Sequence, residues 1–150
     1  MNSGKPSAVI CDMDGTLCDC SKRRHYVEGA KPDWDAFYAH VLDDRPRKNT
    51  IKMLMALRRQ HSIVIVTGRP ARCMGDTRKW LKQYGVRYIQ LWSRADDDYR
   101  EDSIIKEEIY HRSIEPIYDV VKVIDDRPQV IRMWKQLGLT VHDVGNGIEF

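Results

Sequence analysis

Near its amino terminus the chain reads Ala8-Val9-Ile10-Cys11-Asp12-Met13-Asp14-Gly15-Thr16. Four small or β-branched apolar residues run directly into two aspartates, a glycine and a threonine. Ala8–Cys11 has the length and composition of a strand covered on both faces. The same arrangement recurs downstream. The run Ser62–Thr67 leads into Thr67-Gly68-Arg69, and Val120–Ile124 leads into Asp125-Asp126. Arg87–Trp92 and Thr140–Val144 complete five candidate strands.

Helical periods lie between them. Trp34, Phe37, Tyr38, Val41 and Leu42 share one helix face, and their aromatics read as core. Ile51, Leu54 and Met55 open a second helix. Trp80, Leu81 and Tyr84 mark a third, closed by Gly85. A fourth starts from Asp102 or Ser103 as N-cap and stops at Pro116. A fifth opens near Pro128, carries Val130, Ile131, Trp134 and Leu137, and stops at Gly138. Cys18–Pro32 has no period and reads as a loop or flap. Alternating strands and helices predict an α/β fold, a doubly wound parallel sheet in three αβα layers. Ligands of such sheets bind beyond the carboxyl ends of the strands, where the polar residues above fall.

The composition fits this reading. The chain has 150 residues, 42% hydrophobic and 31% charged, which supplies one core and excludes a disordered tail. The net charge, 25 − 22 = +3, excludes a histone-like polycation and permits a local basic groove. No apolar run approaches the ~20 residues of a membrane span, and Met1–Pro6 has no signal-peptide core. Three of the four cysteines, Cys11, Cys18 and Cys20, crowd together away from Cys73. That layout suits a reducing, cytoplasmic setting better than a disulfide framework. Together with His25 they match no standard zinc spacing.

Two carboxylates at one strand end repel each other unless a cation or proton lies between them. Magnesium, a hard ion that favours oxygen, is the natural partner for Asp12 and Asp14, and Asp125-Asp126 off another strand can close the same site. Lys106 and Arg69 add positive charge, Thr67 a hydroxyl, and Gly68 an open backbone. Such a set suits phosphoryl transfer. Taken singly, Asp125-Asp126 reads equally well as a turn, Thr67-Gly68-Arg69 reads better as a plain turn, and Lys106 reads better as a solvated helix lysine. Four specified residues such as those of Asp12–Thr16 recur by chance in roughly one chain in a thousand of this length.

In this order, Asp12-Met13-Asp14-Gly15-Thr16, Thr67-Gly68-Arg69, Lys106 and Asp125-Asp126 resemble the four motifs of the haloacid dehalogenase (HAD) superfamily. Thr77-Arg78-Lys79-Trp80, Ile105-Lys106-Glu107-Glu108-Ile109, Ile124-Asp125-Asp126-Arg127, Arg23 and Asp102 bring the resemblance closer to 3′-phosphatase domains of the bacteriophage polynucleotide kinase/phosphatase type. It covers roughly residues 8–150.

The resemblance implies Asp12 as nucleophile and Asp14 as general acid and base. It implies magnesium on Asp12, Asp14 and Asp126, with Asp125 as ligand or supporting partner. Thr67 and Lys106 would bind phosphoryl oxygens. Thr16, Arg23, Gly68, Arg69 and Arg94 would line the substrate, with Asp102 orienting Lys106 or an arginine. The expected domain is 1–150, with a flap or small cap over about 18–48, where Lys22, Arg23, Arg24, His25, Arg45, Arg47 and Lys48 read either as residues that track a nucleic-acid backbone or, about equally well, as solvated surface charge.

The expected activity is magnesium-dependent removal of 3′-phosphate from nucleic-acid ends, with functional association with a kinase or ligase as a further expectation. A phosphatase of free nucleotides and a non-catalytic module that binds phosphorylated ends are the alternatives. Three features depart from the family pattern. No G-x-x-x-x-G-K-[ST] loop is present, so kinase activity is not expected. Thr67 stands where Ser is usual, and the Arg69–Thr77 stretch is short.

Overall fold

The computed structural model describes residues 4–147. Met1–Ser3 and Ile148–Phe150, which the expected domain span includes, lie outside the described residues. In chain order the strands and α-helices are β1 (Ser7–Cys11), β2 (Cys18–Asp19), α1 (Trp34–Ala39), β3 (Arg45–Pro46), α2 (Lys48–Leu57), β4 (Ser62–Pro70), α3 (Met74–Gln83), β5 (Gln90–Arg94), α4 (Asp102–Ile109), β6 (Asp119–Asp125), α5 (Pro128–Gln136) and β7 (Val141–Asp143). Five strands pair in parallel in the order β5-β4-β1-β6-β7.

The alternation of side chains across the sheet builds two cores. On one face Ala8, Ile10, Val64, Val66 and Val123 pack with Ile105, Ile109, Val130 and Trp134 of α4 and α5. On the other, Val9, Cys11, Ile63, Ile65 and Ile124 pack with Leu54, Trp80 and Leu81 of α2 and α3. Trp80 and Trp134 are fully buried, one in each core. β1, β4 and the end of β6 carry residues buried on both faces, which is why those stretches read as apolar runs. Helix α5 opens on Pro128 and is followed by Gly138 at φ +83°, as its sequence signals require.

The chain winds from β1 outward to β4 and β5, then crosses back to β6 and β7. Between β1 and β6 the winding reverses, and a crevice opens at the carboxyl ends of these two strands. Asp12 and Asp125-Asp126 stand there.

Four local expectations are corrected. The helix read through Leu42 breaks at His40. Asp33 caps α1 by accepting from Ala36 N at 3.0 Å, and a 3-10 turn, Val41–Asp43, follows. Strand β5 begins at Gln90, because the ladder to β4 starts only after Ile89 N reaches Ile63 O. The N-cap of α4 is Glu101, since the Asp102 carboxylate is turned toward Arg94 and Arg127 instead of the helix amides. Past Ile109 the backbone continues as a π-helical segment, Tyr110–Ile114, before Pro116.

The Cys18–Pro32 stretch is not wholly irregular. It contains β2 and a 3-10 helix, Ser21–Tyr26. Strand β2 pairs antiparallel with β3 through Cys18–Pro46 and Asp19–Arg45. The segment carrying α1 thus leaves and rejoins the main body at one narrow neck.

Candidate active site

The loop after β1 turns sharply. Gly15 lies at φ +83°, and a Cβ there would meet Asp126 Oδ2 at 2.1 Å. Only glycine lets this loop approach the β6 end so closely. The Thr16 hydroxyl lies 3.0 Å from both Asp12 Oδ2 and Asp126 Oδ1 and donates to one of them at a time. One oxygen from each of Asp12, Asp125 and Asp126 falls within 4.8 Å of the others.

Lys106, fully buried on α4, reaches into this cluster. Its Nζ donates to Asp12 Oδ1 at 2.8 Å and to Asp125 Oδ2 at 3.2 Å. Asp125 also accepts from Trp134 Nε1 at 3.1 Å and from its neighbour's backbone, Asp126 N, at 2.8 Å. Burial and then the Asp125 charge push the Asp12 carboxyl well above its ordinary range, with Lys106 drawing it part of the way back. Burial raises Asp126 as well, with Asp125 adding to the rise. Burial alone would lower Lys106, but Asp12, Asp125 and Asp102 hold it charged and raise it. Three carboxylates thus face one ammonium. The deficit of positive charge and the all-oxygen donor set fit a hard divalent cation.

Asp14 points the other way. Its Oδ1 accepts from Arg23 Nη2 and Arg69 Nη2, each at 2.6 Å, and its Oδ2 from Arg69 Nε at 3.0 Å. Burial alone would raise Asp14, yet Arg69 and then Arg23 hold it far below the usual carboxylate range. Both arginines are themselves buried. Arg23 is clasped by Asp44 through Nε at 2.8 Å and Nη2 at 2.6 Å, and it donates to Phe37 O. Arg69 donates to Thr77 Oγ1 at 2.9 Å. The expected grip of Arg23 and Arg69 on phosphate is not seen here, because their forks are filled by Asp14, Asp44 and Thr77. The group of Asp14, Cys18 and Asp44 already has these guanidinium counter-charges and is no second metal centre.

The remaining residues singled out in the sequence divide between frame and cavity. The Thr67 hydroxyl accepts from Arg69 N at 3.1 Å, which leaves its proton for another acceptor. A Cβ on Gly68 would lie 2.1 Å from Asp102 Oδ1. Asp102 ties Arg94 to Arg127, whose Nη1 lies 2.9 Å from Asp102 Oδ2, and Arg94 Nε donates to Gly68 O at 2.6 Å. Burial works against Asp102, but Lys106, Arg127 and Arg94 hold it lowered. Arg47, read as a backbone-tracking residue, instead donates to Gly15 O and Val144 O and pins the loop. Lys22, His25, Arg45 and Lys48 are exposed. A cavity of about 580 Å³ brings together Asp12, Asp14, Lys106 and Asp126 with Gly68, Arg94 and Asp102.

Asp44 and Trp134 escaped the sequence reading. Trp134 reads as a core residue at helical spacing, and nothing marks its indole N–H. Asp44 lies in a stretch without period, and its role appears only when the chain folds Arg23 onto it.

The fold is shared with phosphatases of known structure. The class C acid phosphatase from Bacillus anthracis superposes with a TM-score of 0.70 at 14% identity over 97% of this chain and 68% of its own. The chain is a phosphoric monoester hydrolase of the HAD type. Residues 6–148 match the model for the polynucleotide kinase PNKP phosphatase domain, and the chain belongs to that family.

Two relatives carry the match at higher identity. A protein of Autographa californica nuclear polyhedrosis virus, provisionally described as a bifunctional polynucleotide kinase/RNA ligase, is 34% identical over 143 residues, 93% of this chain and 19% of its own length. A chain of the Pnkp1/Rnl/Hen1 RNA repair complex superposes with a TM-score of 0.83 at 30% identity, over 97% of this chain and 44% of that one. This chain thus spans about a fifth of the viral relative and under half of the repair-complex chain. Among the described residues no helix is long and apolar enough to cross a membrane.

Proposed function

We propose that the chain is a magnesium-dependent polynucleotide 3′-phosphatase, one HAD-like domain over residues 1–150 with a small cap over about 18–48. The observation that carries this reading is the convergence of Asp12, Asp125 and Asp126 on Lys106 at the winding reversal between β1 and β6.

Phosphate-monoester hydrolysis is slow enough that enzymes supply up to ~10²¹-fold, near 29 kcal/mol, and a covalent intermediate splits that barrier. Asp12 attacks phosphorus and becomes an aspartyl-phosphate while the 3′-oxygen leaves. Asp14 gives the leaving oxygen its proton and later takes one from the hydrolytic water. Its guanidinium partners favour the charged form, which suits the second half. The proton needed in the first half is taken up from solvent as the substrate dianion enters, since a second negative charge beside Asp14 favours its neutral form. Lys106 and the free proton of the Thr67 hydroxyl hold phosphoryl oxygens. Asp12, Asp126 and the Asp14 carbonyl would hold magnesium, with Asp125 supporting. The ion, when bound, offsets the charge that develops on the phosphoryl group.

The family match and the two relatives support nucleic-acid ends as substrate and a working association with a kinase or ligase. Four unpaired cysteines support a reducing, cytoplasmic setting.

The test is inorganic phosphate release from a 3′-phosphorylated oligonucleotide, a 3′-mononucleotide and a 5′-phosphorylated oligonucleotide, with magnesium or with excess EDTA. The expected result is preference for the 3′-phosphorylated oligonucleotide, loss of turnover in EDTA, and none from Asp12→Asn. Equal kcat/KM for the mononucleotide would overturn the polymer-end reading. Undiminished activity of Asp12→Asn would remove that residue as nucleophile.

A further inference from the structure

The cavity that holds Asp12 and Lys106 has an aromatic wall that the chemistry above does not use. Trp34, Phe37 and Tyr38 of α1 line it on one side and Tyr99 on another. Trp34 and Tyr38 stack at 6.0 Å between centroids and 25° between planes. Phe37 stands edge-on to both, at 5.6 and 5.1 Å. The Arg23 guanidinium lies 4.3 Å from the Phe37 ring centroid. The wall is therefore stiffened by the same arginine that holds Asp14.

Tyr99 is the unexplained member. It is 89% exposed, and no described ring packs on it. Yet its loop is fixed on both sides. Arg94 Nη1 takes the carbonyls of Asp98 and Arg100, at 3.0 and 2.9 Å, and the Arg100 fork bridges Asp98 and Glu108. An aromatic ring held at a cavity mouth with nothing against it wastes apolar surface unless a flat ligand covers it.

Four arginines of the same cavity are paired with carboxylates of the protein, Arg127 with Asp102 among them. Arg72 pairs with Asp35 and Asp96, Arg94 with Asp102, and Arg100 with Asp98 and Glu108. These pairings occupy part of the cavity's positive charge, and apolar contact is what the aromatic wall adds beyond the reacting phosphate.

We propose that Trp34, Tyr38 and Tyr99 form a stacking site for the nucleobase that bears the scissile 3′-phosphate. The inference rests on the nucleic-acid-end reading and deepens it. The terminal base lies against the aromatic wall while its 3′-phosphate reaches Asp12. Stacking is indifferent to base identity, because every base presents a π-face. The site therefore selects a base over none, and not one base over another.

The test compares two 3′-phosphorylated oligonucleotides that differ only in their terminal residue, one with a base and one abasic. For the unaltered chain, KM is expected to be tenfold or more lower with the base present, at similar kcat. Tyr99→Ala erases most of that difference by raising KM for the base-bearing end alone, and Tyr99→Phe restores it. Trp34→Ala acts in the same direction, and circular dichroism and Tm verify that each variant is folded.

A preference for the base that survives both alanine variants overturns the stacking site. So does equal KM for the two ends in the unaltered chain, and phosphate release from both then leaves the nucleic-acid-end reading intact. Release from neither end defeats that reading itself, and the stacking site with it.

Discussion

The Lys106 ammonium donates a 2.8 Å hydrogen bond to Asp12 Oδ1 across 94 residues of sequence, inside a pocket where both side chains are almost fully buried. It is the cation that the structure sets among Asp12, Asp125 and Asp126. Replacement by methionine keeps the length and removes the charge. Breaking a buried pair in this way costs about 3–5 kcal/mol. Lys106→Met is expected to lower the urea midpoint markedly in EDTA and to lose at least a hundredfold in kcat/KM. Magnesium should restore part of the stability and little of the rate. Equal stability of variant and parent in EDTA would show that the ammonium does not balance the cluster.

Magnesium itself should act on the fold as well as on turnover. A ligand bound only by the native state at a hundred times its Kd adds about 2.7 kcal/mol, worth on the order of 5–10 °C for a domain of this size. Differential scanning calorimetry with magnesium and then with excess EDTA measures it. Asp126→Asn should abolish most of the difference. An unchanged Tm on chelation would argue that the three carboxylates hold no ion.

Asp14 gives a pH signature of defined sign. Its folded-state pKa is depressed by Arg69 and Arg23 below the unfolded value of 3.8. The stability it contributes is therefore full above that value and is lost only as pH falls through the lower, folded one. With Arg69→Met the depression shrinks, and so does the contribution. Acid unfolding, followed by tryptophan fluorescence in EDTA, should begin at a higher pH in the variant. An identical acid midpoint would show that Arg69 does not hold this carboxylate charged.

The thiols offer a simple check of packing. All four cysteines are buried and unpaired, and burial, then the nearby Asp14 charge, pushes Cys20 up to about 12. Thiolate is the reactive species, so an aromatic disulfide reagent should label none of them rapidly in the native protein at pH 8. All four should react in guanidinium chloride. Fast native labelling of Cys20, which borders the cavity, would mean that the segment around it opens.

Much of this architecture is readable in the residues because the chemistry sits where strands stop. Ala8–Cys11 and the end of β6, Val123 and Ile124, are buried on both faces and cannot hide their apolar residues, so the aspartates that follow stand out. Lys106 is legible only by resemblance, since one lysine on a helix looks like surface until Asp12 and Asp125 fold over it. Arg23 and Arg69 are legible as residues of the site, but their partners are not. Spacing carries no sign that Asp14 and Asp44 will fill both guanidinium forks before any substrate arrives. Trp34 reads as core from its period, yet it stays half exposed because α1 ends at Ala39 and leaves the aromatic face over a cavity. Asp102 has the spacing of an N-cap, and two arginines outbid the helix amides for it.

The neck at Cys18–Pro46 and Asp19–Arg45 has an evolutionary consequence. Whatever hangs between those two short strands is attached at neighbouring points, so its exchange leaves the sheet and the Asp12, Asp125 and Asp126 cluster in place, while Arg23 and Asp44, which hold Asp14, have to be kept. Selectivity is in that sense portable. A transplanted segment that respects the two cross-strand pairs and the Arg23–Asp44 clasp can bring a new clientele to an unaltered reaction centre, much as a lens is swapped on a fixed camera body.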